Sequence, residues 1–339
     1  MAQDFGIHYS MLNANDQKLY SMLLFALRGC KKTLALSGVK ASNMSNVFKA
    51  IDFDHPEIFY VNYGASMCVG ALLGPKVLNI AYLYSMRDIK LYQQQLLQQL
   101  NAFKSEYISA YASDYEKVLK IHDYLKTHAS YHFAAAANPN AVGARNAYNI
   151  VGALIDGQCV CEGYAKAMLW LCSETGIEAM TVLGTACDAQ RGISGGHAWN
   201  IVKINGCYQH VDVTWDAQNA MNDFPTYMYL NLSDEQIRKN HSWTGNYPEC
   251  KETAYNYFHV NNAIFGTKQA LIRYLKEQLE YEEESIAIQV EEGSRLMSGA
   301  PDALHECAAQ AAAQCKYVRA SYLELRFADN VYVFKFSYS

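Results

Sequence analysis

The sequence predicts an α+β fold in which a helix packs on an antiparallel sheet. In residues 163–176, GYAKAMLWLCSETG, apolar side chains fall on one helical face and a glycine suits the helix C-terminus. Residues 197–215, HAWNIVKINGCYQHVDVTW, contain the Asn-Gly signal of a two-residue hairpin turn. After about Lys251, helix-like and strand-like stretches alternate, which predicts a small appended α/β unit.

The first part of the chain reads as helices interrupted by strand-like runs. Apolar residues at helical spacing predict a helix over residues 14–36. In residues 54–63, DHPEIFYVNY, the proline stops any helix and the β-forming residues after it predict a strand. Residues 77–85, VLNIAYLYS, follow Gly74-Pro75 and predict another strand. A long helical region is expected over residues 88–127, and the stretch AAAANPNAVGARN is expected to be a surface loop.

The end of the chain has its own order of elements. SDEQ at residues 233–236 has the pattern of a capping box that opens a short helix. A helix at residues 269–281 precedes an alternating strand near residues 286–290. A helix after Pro301 then precedes two strands, YLELRF and VYVFKF, which the residues ADN join.

The composition is that of an ordinary soluble globular protein. The chain has 339 residues, of which 51% are hydrophobic and 18% charged, with a formal net charge of −5. The mild charge and the absence of a dense basic run argue against nucleic acid as the main partner. No apolar run approaches the roughly 20 residues that span a bilayer. The opening stretch lacks the pattern of a secretory signal, and ten scattered cysteines do not resemble the dense disulfide framework of a small secreted domain. We therefore expect a cytoplasmic location with reduced thiols, or secretion if a leader precedes this chain.

Residues 157–165, GQCVCEGYA, hold two cysteines separated by one valine. Both could bind a metal together with His197 and Cys187, but structural zinc sites usually space their cysteines two to four residues apart and in two pairs. A disulfide between Cys159 and Cys161 would close a tiny ring with poor geometry. We predict neither a metal nor a cofactor. The other cysteines are interpreted as small hydrophobic residues, among them Cys159, Cys172, Cys187 and Cys207.

Cys161 differs from these cysteines because it immediately precedes the predicted helix. The unpaired backbone N–H groups and the positive end of the helix dipole stabilise a thiolate at such a position. Gly163 lets another backbone or a substrate come close. The position is therefore that of a nucleophile, which in turn needs a base and a group that orients the base.

The hairpin supplies both groups. A type I′ turn at residues 205–206 pairs position 199 with position 212 and position 197 with position 214. His197 and Asp212 then lie on the same face as diagonal neighbours, with Cα atoms about 7–8 Å apart. A carboxylate at that distance fixes the tautomer and orientation of an imidazole, whereas Asp216 is expected to lie past the end of the strand. We predict a Cys161–His197–Asp212 triad. The remaining histidines are interpreted as packed or surface residues, namely His55, His122, His210 and His241.

These motifs resemble a known family. GQCVCEGYAKA, followed by GGHAWNIVKINGCYQHVDVTWD, is similar to the transglutaminase-like superfamily, whose catalytic domain resembles that of papain-like cysteine proteases. The family's nucleophile in C-x-G-Y-A falls on Cys161, its base in H-A-W-N on His197, and its aspartate in V-D-V-T-W-D on Asp212. Cys159 occupies a position that is often glycine in relatives. DHPEIFYV, KVLKIHDYL and YMYLNLSDEQIRKNHSW resemble flanking segments of bacterial relatives, which extends the similarity over residues 14–243.

The resemblance implies a papain-like, transglutaminase-like core with an extension at each end. We expect an N-terminal α/β extension packed on the core at residues 1–105. The catalytic domain is expected at residues 106–250. A small C-terminal α/β unit, to which the resemblance does not extend, is expected at residues 251–339.

The implied activity is cysteine-dependent acyl transfer from a peptide or amide through a thioester, with a peptide or protein as the partner. A peptidase or amidase is favoured. Transglutaminase-type transfer to an amine and a non-catalytic peptide-binding scaffold remain alternatives, and the oligomeric state is left open. No run matches a calcium-binding loop, which disfavours a calcium-activated animal-type transglutaminase.

Some of the remaining site residues are assigned by proximity in the sequence. The backbone N–H of Cys161 is expected to form half of the oxyanion hole. Gln158 and Tyr148 are candidates for the second donor. Trp199 and Trp215 are expected either to wall the cleft, where they would contact substrate, or to pack in the core.

Overall fold

The computed structural model describes residues 5–40, 43–70, 76–141, 143–188, 193–220, 227–315, 318–325 and 330–338. In these ranges the chain combines helices with three-, five-, four- and two-stranded sheets. The α+β prediction is confirmed. In the described part of the chain, no helix has both the length and the apolar character needed to cross a membrane.

The N-terminal part consists of helices around a small antiparallel sheet with the order β1-β3-β2. Its helices are α1 (Ile7–Ser10), α2 (Ala14–Arg28), α3 (Met44–Asp54) and α4 (Met86–Tyr107). Its strands are β1 (Thr33–Ala35), β2 (Met67–Val69) and β3 (Val77–Asn79), and a 3-10 turn covers Tyr63–Ala65.

The predicted helix over residues 14–36 is too long. It ends at Arg28, where Gly29 occupies the C-cap, and Cys30 then adopts a left-handed conformation with φ of 47°. That turn ends the helical path, and the chain continues into β1. The Asn13 side chain caps the start of the helix by accepting from the backbone N–H groups of Asn15 and Asp16.

The strand predicted after Pro56 is also wrong. This segment turns, and Val61 makes a single bridge to Tyr82. Its β-forming residues serve the core instead, since Ile58, Phe59 and Tyr60 are all buried. Burial of an apolar run does not require a strand. The predicted strand after Gly74-Pro75 is present only as the three residues of β3, and Gly74-Pro75 itself lies outside the described residues.

The central part holds a five-stranded antiparallel sheet with the order β10-β6-β7-β8-β9. Its helices are α5 (Asp114–His128), α6 (Phe133–Ala137), α7 (Cys161–Glu174), α8 (Val213–Ala220) and α9 (Asp234–Ile237). Its strands are β4 (Ser130–Tyr131), β5 (Gln158–Cys159), β6 (Ala179–Asp188), β7 (Ile193–Ile204), β8 (Cys207–Val211), β9 (Leu230–Leu232) and β10 (His241–Trp243). Helix α7 packs on β6 and β7, as predicted.

Two predictions for this part need correction. The helical region over residues 88–127 is two helices, α4 and α5, because Ser113 and Glu116 form a capping box that starts α5 anew. The predicted loop over residues 134–146 contains most of α6 and the start of a 3-10 turn at Ala144–Tyr148. A π-helical turn at Gly152–Asp156 follows, and the chain enters the parallel pair β4–β5.

The hairpin has the predicted turn but a shorter ladder. Asn205 and Gly206 both have positive φ, 49° and 89°, and Ile204 faces Cys207. The ladder ends with Asn200 opposite Val211, because the chain enters α8 at once. The predicted pairings of position 199 with position 212 and of position 197 with position 214 therefore do not form.

The C-terminal unit confirms the predicted order of elements. Its helices are α10 (Tyr257–Val260), α11 (Lys268–Glu280), α12 (Arg295–Ser298) and α13 (Asp302–Ala313). Its strands are β11 (Ile264–Phe265), β12 (Ser285–Val290), β13 (Val318–Leu325) and β14 (Val331–Tyr338), in the order β11-β12-β14-β13. The capping box predicted at Ser233 and Gln236 is present at the start of α9, whereas the joining residues ADN lie largely outside the described ranges.

Two apolar cores connect these parts. One runs from α2 and α3 through α5 to α7, so the N-terminal helices and the central helices bury a common set of side chains. The other joins Trp199 on one face of the central sheet, and Trp215 of α8, to the C-terminal unit. The boundaries at residues 105 and 250 stay a prediction.

Candidate active site

Cys161 is the first residue of α7 and is held there by tight local packing. The preceding residue, Val160, is extended and donates its N–H to the Ala147 carbonyl over 3.0 Å. A Cβ on Gly163 would come within 2.6 Å of both the Ala147 carbonyl and the Cys159 Cβ. Position 163 therefore requires glycine, because another part of the backbone lies against it. This is one of the two roles expected for Gly163, the other being close approach of a substrate. As the first helical residue, Cys161 presents a backbone N–H with no acceptor inside the helix.

His197 and Asp212 form a direct pair. Nε2 of His197 lies 2.7 Å from Oδ2 of Asp212, and the carboxylate is completely buried. Its other oxygen, Oδ1, accepts the backbone N–H of Trp215 over 3.2 Å. Asp212 thus acts as the N-cap of α8 while it orients the imidazole. Asp216 lies one helical turn later and binds His122 instead, with 3.0 Å between Nε2 and Oδ2.

The pKa shifts of His197 and Asp212 both favour the charged form of the group. Burial alone would lower the pKa of His197, but the Asp212 carboxylate and Cys161 outweigh burial and raise that pKa to about 10. Burial alone would raise the pKa of Asp212, but the hydrogen bonds and charges of His197 and His241 hold it well below its usual range. His197 is therefore an imidazolium at neutral pH, and Asp212 is a carboxylate.

Cys161 and His197 line the same cleft. A side-chain hydrogen bond with Cys161 contributes to the raised pKa of His197. Since Nε2 is committed to Asp212, the nitrogen that serves the thiol is Nδ1.

A residue that the sequence analysis treated as ordinary also contacts the carboxylate. Nε2 of His241, on β10, lies 3.1 Å from Oδ2 of Asp212. His241 was interpreted as a packed or surface residue. Its side chain is fully buried, and no pattern in the sequence indicated this contact. His241 lies 29 positions after Asp212, and only the pairing of β10 with β6 brings it there. No spacing in the sequence signals it.

Trp199 supports the site from behind and does not line the cleft. It is 1% exposed, and its ring stacks on that of His197 with centroids 5.9 Å apart. Its indole N–H donates to Nδ1 of His210 over 3.0 Å, and His210 Nε2 meets Asp234 Oδ1 at 2.8 Å. Trp215 is buried as well. The alternative of core packing therefore describes both tryptophans in this structure.

The cleft has a volume of about 510 Å³ and is walled from three directions. Besides Cys161 and His197, its lining consists of Lys49 and Phe53 from α3, Glu162 from α7, Leu183, Gly184, Thr185 and Gly196 from β6 and β7, and Ser242, Trp243 and Thr244 at β10. Sequence analysis identified none of these as lining residues. They come from four separate segments of the chain, so only the folded chain assembles them.

A buried lysine fixes the α3 wall. Lys166 is 3% exposed, and its Nζ donates to Asp52 of α3 over 2.8 Å and to the Tyr148 carbonyl over 3.1 Å. Glu162, one turn before it, lies 3.6 Å from the same Nζ. These contacts attach the N-terminal extension to the helix that carries Cys161.

The two candidates for the second oxyanion donor differ in availability. The Tyr148 hydroxyl donates to the Ala135 carbonyl over 2.8 Å, so its proton is already used. Gln158 is exposed on the two-residue strand β5, three positions before Cys161. The exposed Gln158 amide is therefore more available than the Tyr148 hydroxyl to donate to an oxyanion.

Two groups in the described residues have the donor types for a metal ion, His197–Asp212–His241 and His210–Asp234–Cys250. In the first group both histidines already bind the carboxylate. In the second group His210 is bound at both ring nitrogens, and burial raises the pKa of the Cys250 thiol far above its usual value. Such a thiol resists the deprotonation that metal binding requires. Neither group fits a metal well.

Comparisons with known proteins identify the segment around Cys161. Residues 101–213 match the family model of the transglutaminase-like superfamily, which ends one residue after Asp212. No curated protein matches the chain.

Several solved structures are similar over part of the chain. One is described as a TGase, with 12% identity and a TM-score of 0.31, over 44% of this chain and 43% of that one. A "putative cysteine protease" from Cytophaga hutchinsonii has 16% identity and a TM-score of 0.28, over 44% and 61%. A "putative protease" from Parabacteroides distasonis has 12% identity and a TM-score of 0.25, over 43% and 35%. The chain spans less than two thirds of each of these proteins.

Proposed function

We propose a function from the premise that residues 101–213 belong to the transglutaminase-like superfamily. The protein is a cysteine-dependent acyl-transfer enzyme that acts on peptide or amide bonds, and it works as a peptidase or amidase. Cys161 is the nucleophile, His197 the general acid and base, and Asp212 the orienting carboxylate.

One observation carries this proposal. The imidazole of His197 lies between the thiol of Cys161 and the buried carboxylate of Asp212, with 2.7 Å between Nε2 and Oδ2. A nucleophile, a base and an orienting group in this order activate a thiol for attack on a carbonyl. The cleft beside the thiol gives a peptide access to it.

The first half-reaction forms the acyl-enzyme. The Cys161 thiolate attacks the carbonyl carbon, a C–S bond forms, and the carbonyl oxygen becomes an oxyanion. The backbone N–H of Cys161 donates to that oxyanion, and the Gln158 amide is the proposed second donor. The imidazolium of His197 then gives the Nδ1 proton to the leaving amine as the C–N bond breaks, leaving a thioester.

The second half-reaction releases the acyl group. The imidazole, now neutral, takes a proton from water at Nδ1, and the resulting hydroxide attacks the thioester carbon. The C–S bond breaks, the carboxylic acid leaves, and the thiolate–imidazolium pair is restored. Through both steps Asp212 keeps Nε2 protonated and the ring in place.

Labelling with a thiol-directed activity probe, followed by digestion of a peptide library with and without an added primary amine, tests the proposal. We expect hydrolysed peptides whose formation is abolished in Cys161→Ala and retained in Cys159→Ala. Amine-linked products in place of acids would favour the transglutaminase alternative. Peptide binding without any product, in a protein whose Cys161 labels readily, would favour the scaffold alternative.

A further inference from the structure

Asp212 has two histidine partners on the same oxygen. Oδ2 lies 2.7 Å from Nε2 of His197 and 3.1 Å from Nε2 of His241. The Cys161–His197–Asp212 chemistry accounts for the first contact and makes no use of the second. Both the carboxylate and the second imidazole are fully buried, so water does not compete for this hydrogen bond.

The charge on the Asp212 carboxylate decides which of the two groups donates the hydrogen bond between His241 and Asp212. An ionised carboxylate only accepts hydrogen bonds, so Nε2 of His241 must carry the proton that faces it. Burial lowers the pKa of His241 despite the nearby carboxylate, which keeps the ring neutral with Nδ1 as an acceptor. Oδ1 of Asn240 lies 2.6 Å from that Nδ1, and Nδ2 of Asn240 donates to the Tyr229 hydroxyl over 2.7 Å. A neutral His241 with its proton on Nε2 requires the Asn240 amide to be turned by 180°, so that its NH₂ donates to Nδ1 and its oxygen accepts from the hydroxyl.

The ring of His241 is confined on several sides by aromatic neighbours. Its centroid lies 4.6 Å from Trp215, 5.0 Å from Trp199 and 5.7 Å from Tyr229. The ring of His197 lies 5.4 Å away. The cage and the Asn240 amide hold His241 in one orientation, so its N–H points at a fixed place. A fixed donor restricts the torsional freedom of the carboxylate that it binds.

We propose that His241 is a positioning residue of this site: its Nε2–H holds Oδ2 of Asp212 in the orientation in which that oxygen accepts from His197. The inference rests on the proposed function. His241 contacts neither substrate nor thiol and acts only through Asp212. The chain Tyr229–Asn240–His241–Asp212–His197 thus links β10 to the catalytic imidazole.

The test compares two substitutions. His241→Leu removes the donor and keeps an apolar side chain in the cage. His241→Gln places an amide N–H near the position of Nε2 and keeps the donor. We expect His241→Leu to lower kcat about tenfold or more with KM little changed, the rate equivalent of one hydrogen bond to a charged group, and His241→Gln to recover most of that loss. The rate of Cys161 alkylation at pH 5–6 should follow the same order, because it reports the thiolate–imidazolium pair without any substrate.

A third measurement needs no variant at position 241. Nitrogen-15 NMR of the histidine rings should show His241 as the neutral tautomer with the proton on Nε2, and this signal should shift in Asp212→Asn. Wild-type kcat and alkylation in His241→Leu, or a His241 ring protonated only on Nδ1, would overturn the proposal. If wild-type protein turns over no peptide, the proposed function fails, and the NMR and alkylation results still decide the role of His241.

Discussion

Asp212 binds His197 from a position just beyond the end of the strand ladder. The last β8 residue in the ladder is Val211, opposite Asn200, yet Oδ2 of Asp212 lies 2.7 Å from Nε2 of His197. Asp212 is held there because its Oδ1 caps α8 through the N–H of Trp215. The junction between strand and helix therefore sets the orientation of the carboxylate, and the hairpin register only brings the two residues near each other.

Cys161 should be alkylated first among the ten cysteines at mildly acidic pH. Its thiolate is stabilised by the helix N-terminus and by the His197 imidazolium, whereas ordinary thiols are mostly protonated at that pH. The exposed Cys68 and Cys187 are the internal controls for accessibility. Brief iodoacetamide treatment and mass mapping measure the order. Earlier modification of Cys68, Cys187 or Cys159 would contradict the assignment.

Asp212→Asn should lower kcat by about 10²–10⁴-fold, since an amide can hold the wrong histidine tautomer. The exposed Asp156 is the matched control, because its carboxylate accepts from the Asn146 side chain over 2.6 Å and not from His197 in the described residues. Asp156→Asn should leave kcat within about twofold, as expected for a surface change far from such a mechanism. Steady-state kinetics measure both variants. Equal losses of kcat in the two variants would exclude the role given to Asp212.

Asp216→Asn should affect stability more than turnover. This carboxylate is buried and accepts from His122 and from the backbone N–H groups of Met228 and Tyr229, at 3.0–3.1 Å. An amide loses part of this acceptance, so the free energy of unfolding should fall by about 1–3 kcal/mol. Urea unfolding measures the change. A variant with wild-type stability and severely reduced kcat would show that Asp216 has a catalytic role.

Gly184→Ala should damage both stability and activity. A Cβ there would lie 2.1 Å from the Ser242 carbonyl and 2.7 Å from the Trp199 ring, so β10 would have to move together with His241. We expect a loss of about 1–3 kcal/mol in the free energy of unfolding, with lower kcat. Gly195→Ala is the control, since its Cβ would meet nothing within 4 Å. Thermal unfolding and steady-state kinetics of the two variants measure these changes. Equal losses of stability and kcat in Gly184→Ala and Gly195→Ala would refute the packing argument.

The ion pair should make stability depend on pH in the alkaline range. The pKa of His197 rises from 6.5 to about 10 on folding, so its stabilising contribution is fully present below pH 6.5 and is lost as the pH rises towards 10. The lowered pKa of Asp212 adds a contribution that is present above 3.8 and is lost as the pH falls below it. Wild type should therefore lose its advantage over His197→Gln between pH 6.5 and 10. Unfolding of both proteins by urea across this range measures it, and a constant difference would disprove the raised pKa.

The purified protein should contain less than one zinc per chain, and chelators should leave its fold intact. Both candidate metal groups use their donor atoms in hydrogen bonds or hold a buried thiol that resists deprotonation. Metal analysis and circular dichroism with and without EDTA provide the check. One tightly held metal per chain, lost together with the structure, would contradict this prediction.

Local patterns in the sequence determined the elements that depend on neighbouring residues. The turn at Asn205 needs positive φ, Gly176 suits the left-handed end of α7, and Ser233 caps α9, so these features follow from the chemistry of a few adjacent residues. The grouping of Cys161 with the HAWN and VDVTWD motifs was predicted differently, from the hairpin register and from the family resemblance. Helix ends and short strands were predicted less well, because burial of Ile58 to Val61 in the core overrode their strand preference.

Only the tertiary structure decided what surrounds the predicted triad. His241 reaches Asp212 from β10, and its neighbours Ser242 and Trp243 line the cleft. Lys49 and Phe53 line the cleft from α3. The first group follows the segment that carries the motifs, and the second precedes it. Their positions depend on strand pairing and on packing between elements far apart in the chain, which no local periodicity encodes. Sequence by itself therefore determined the type of fold and the three residues proposed for the chemistry. Long-range packing decided which residues hold these three in place and which line the cleft.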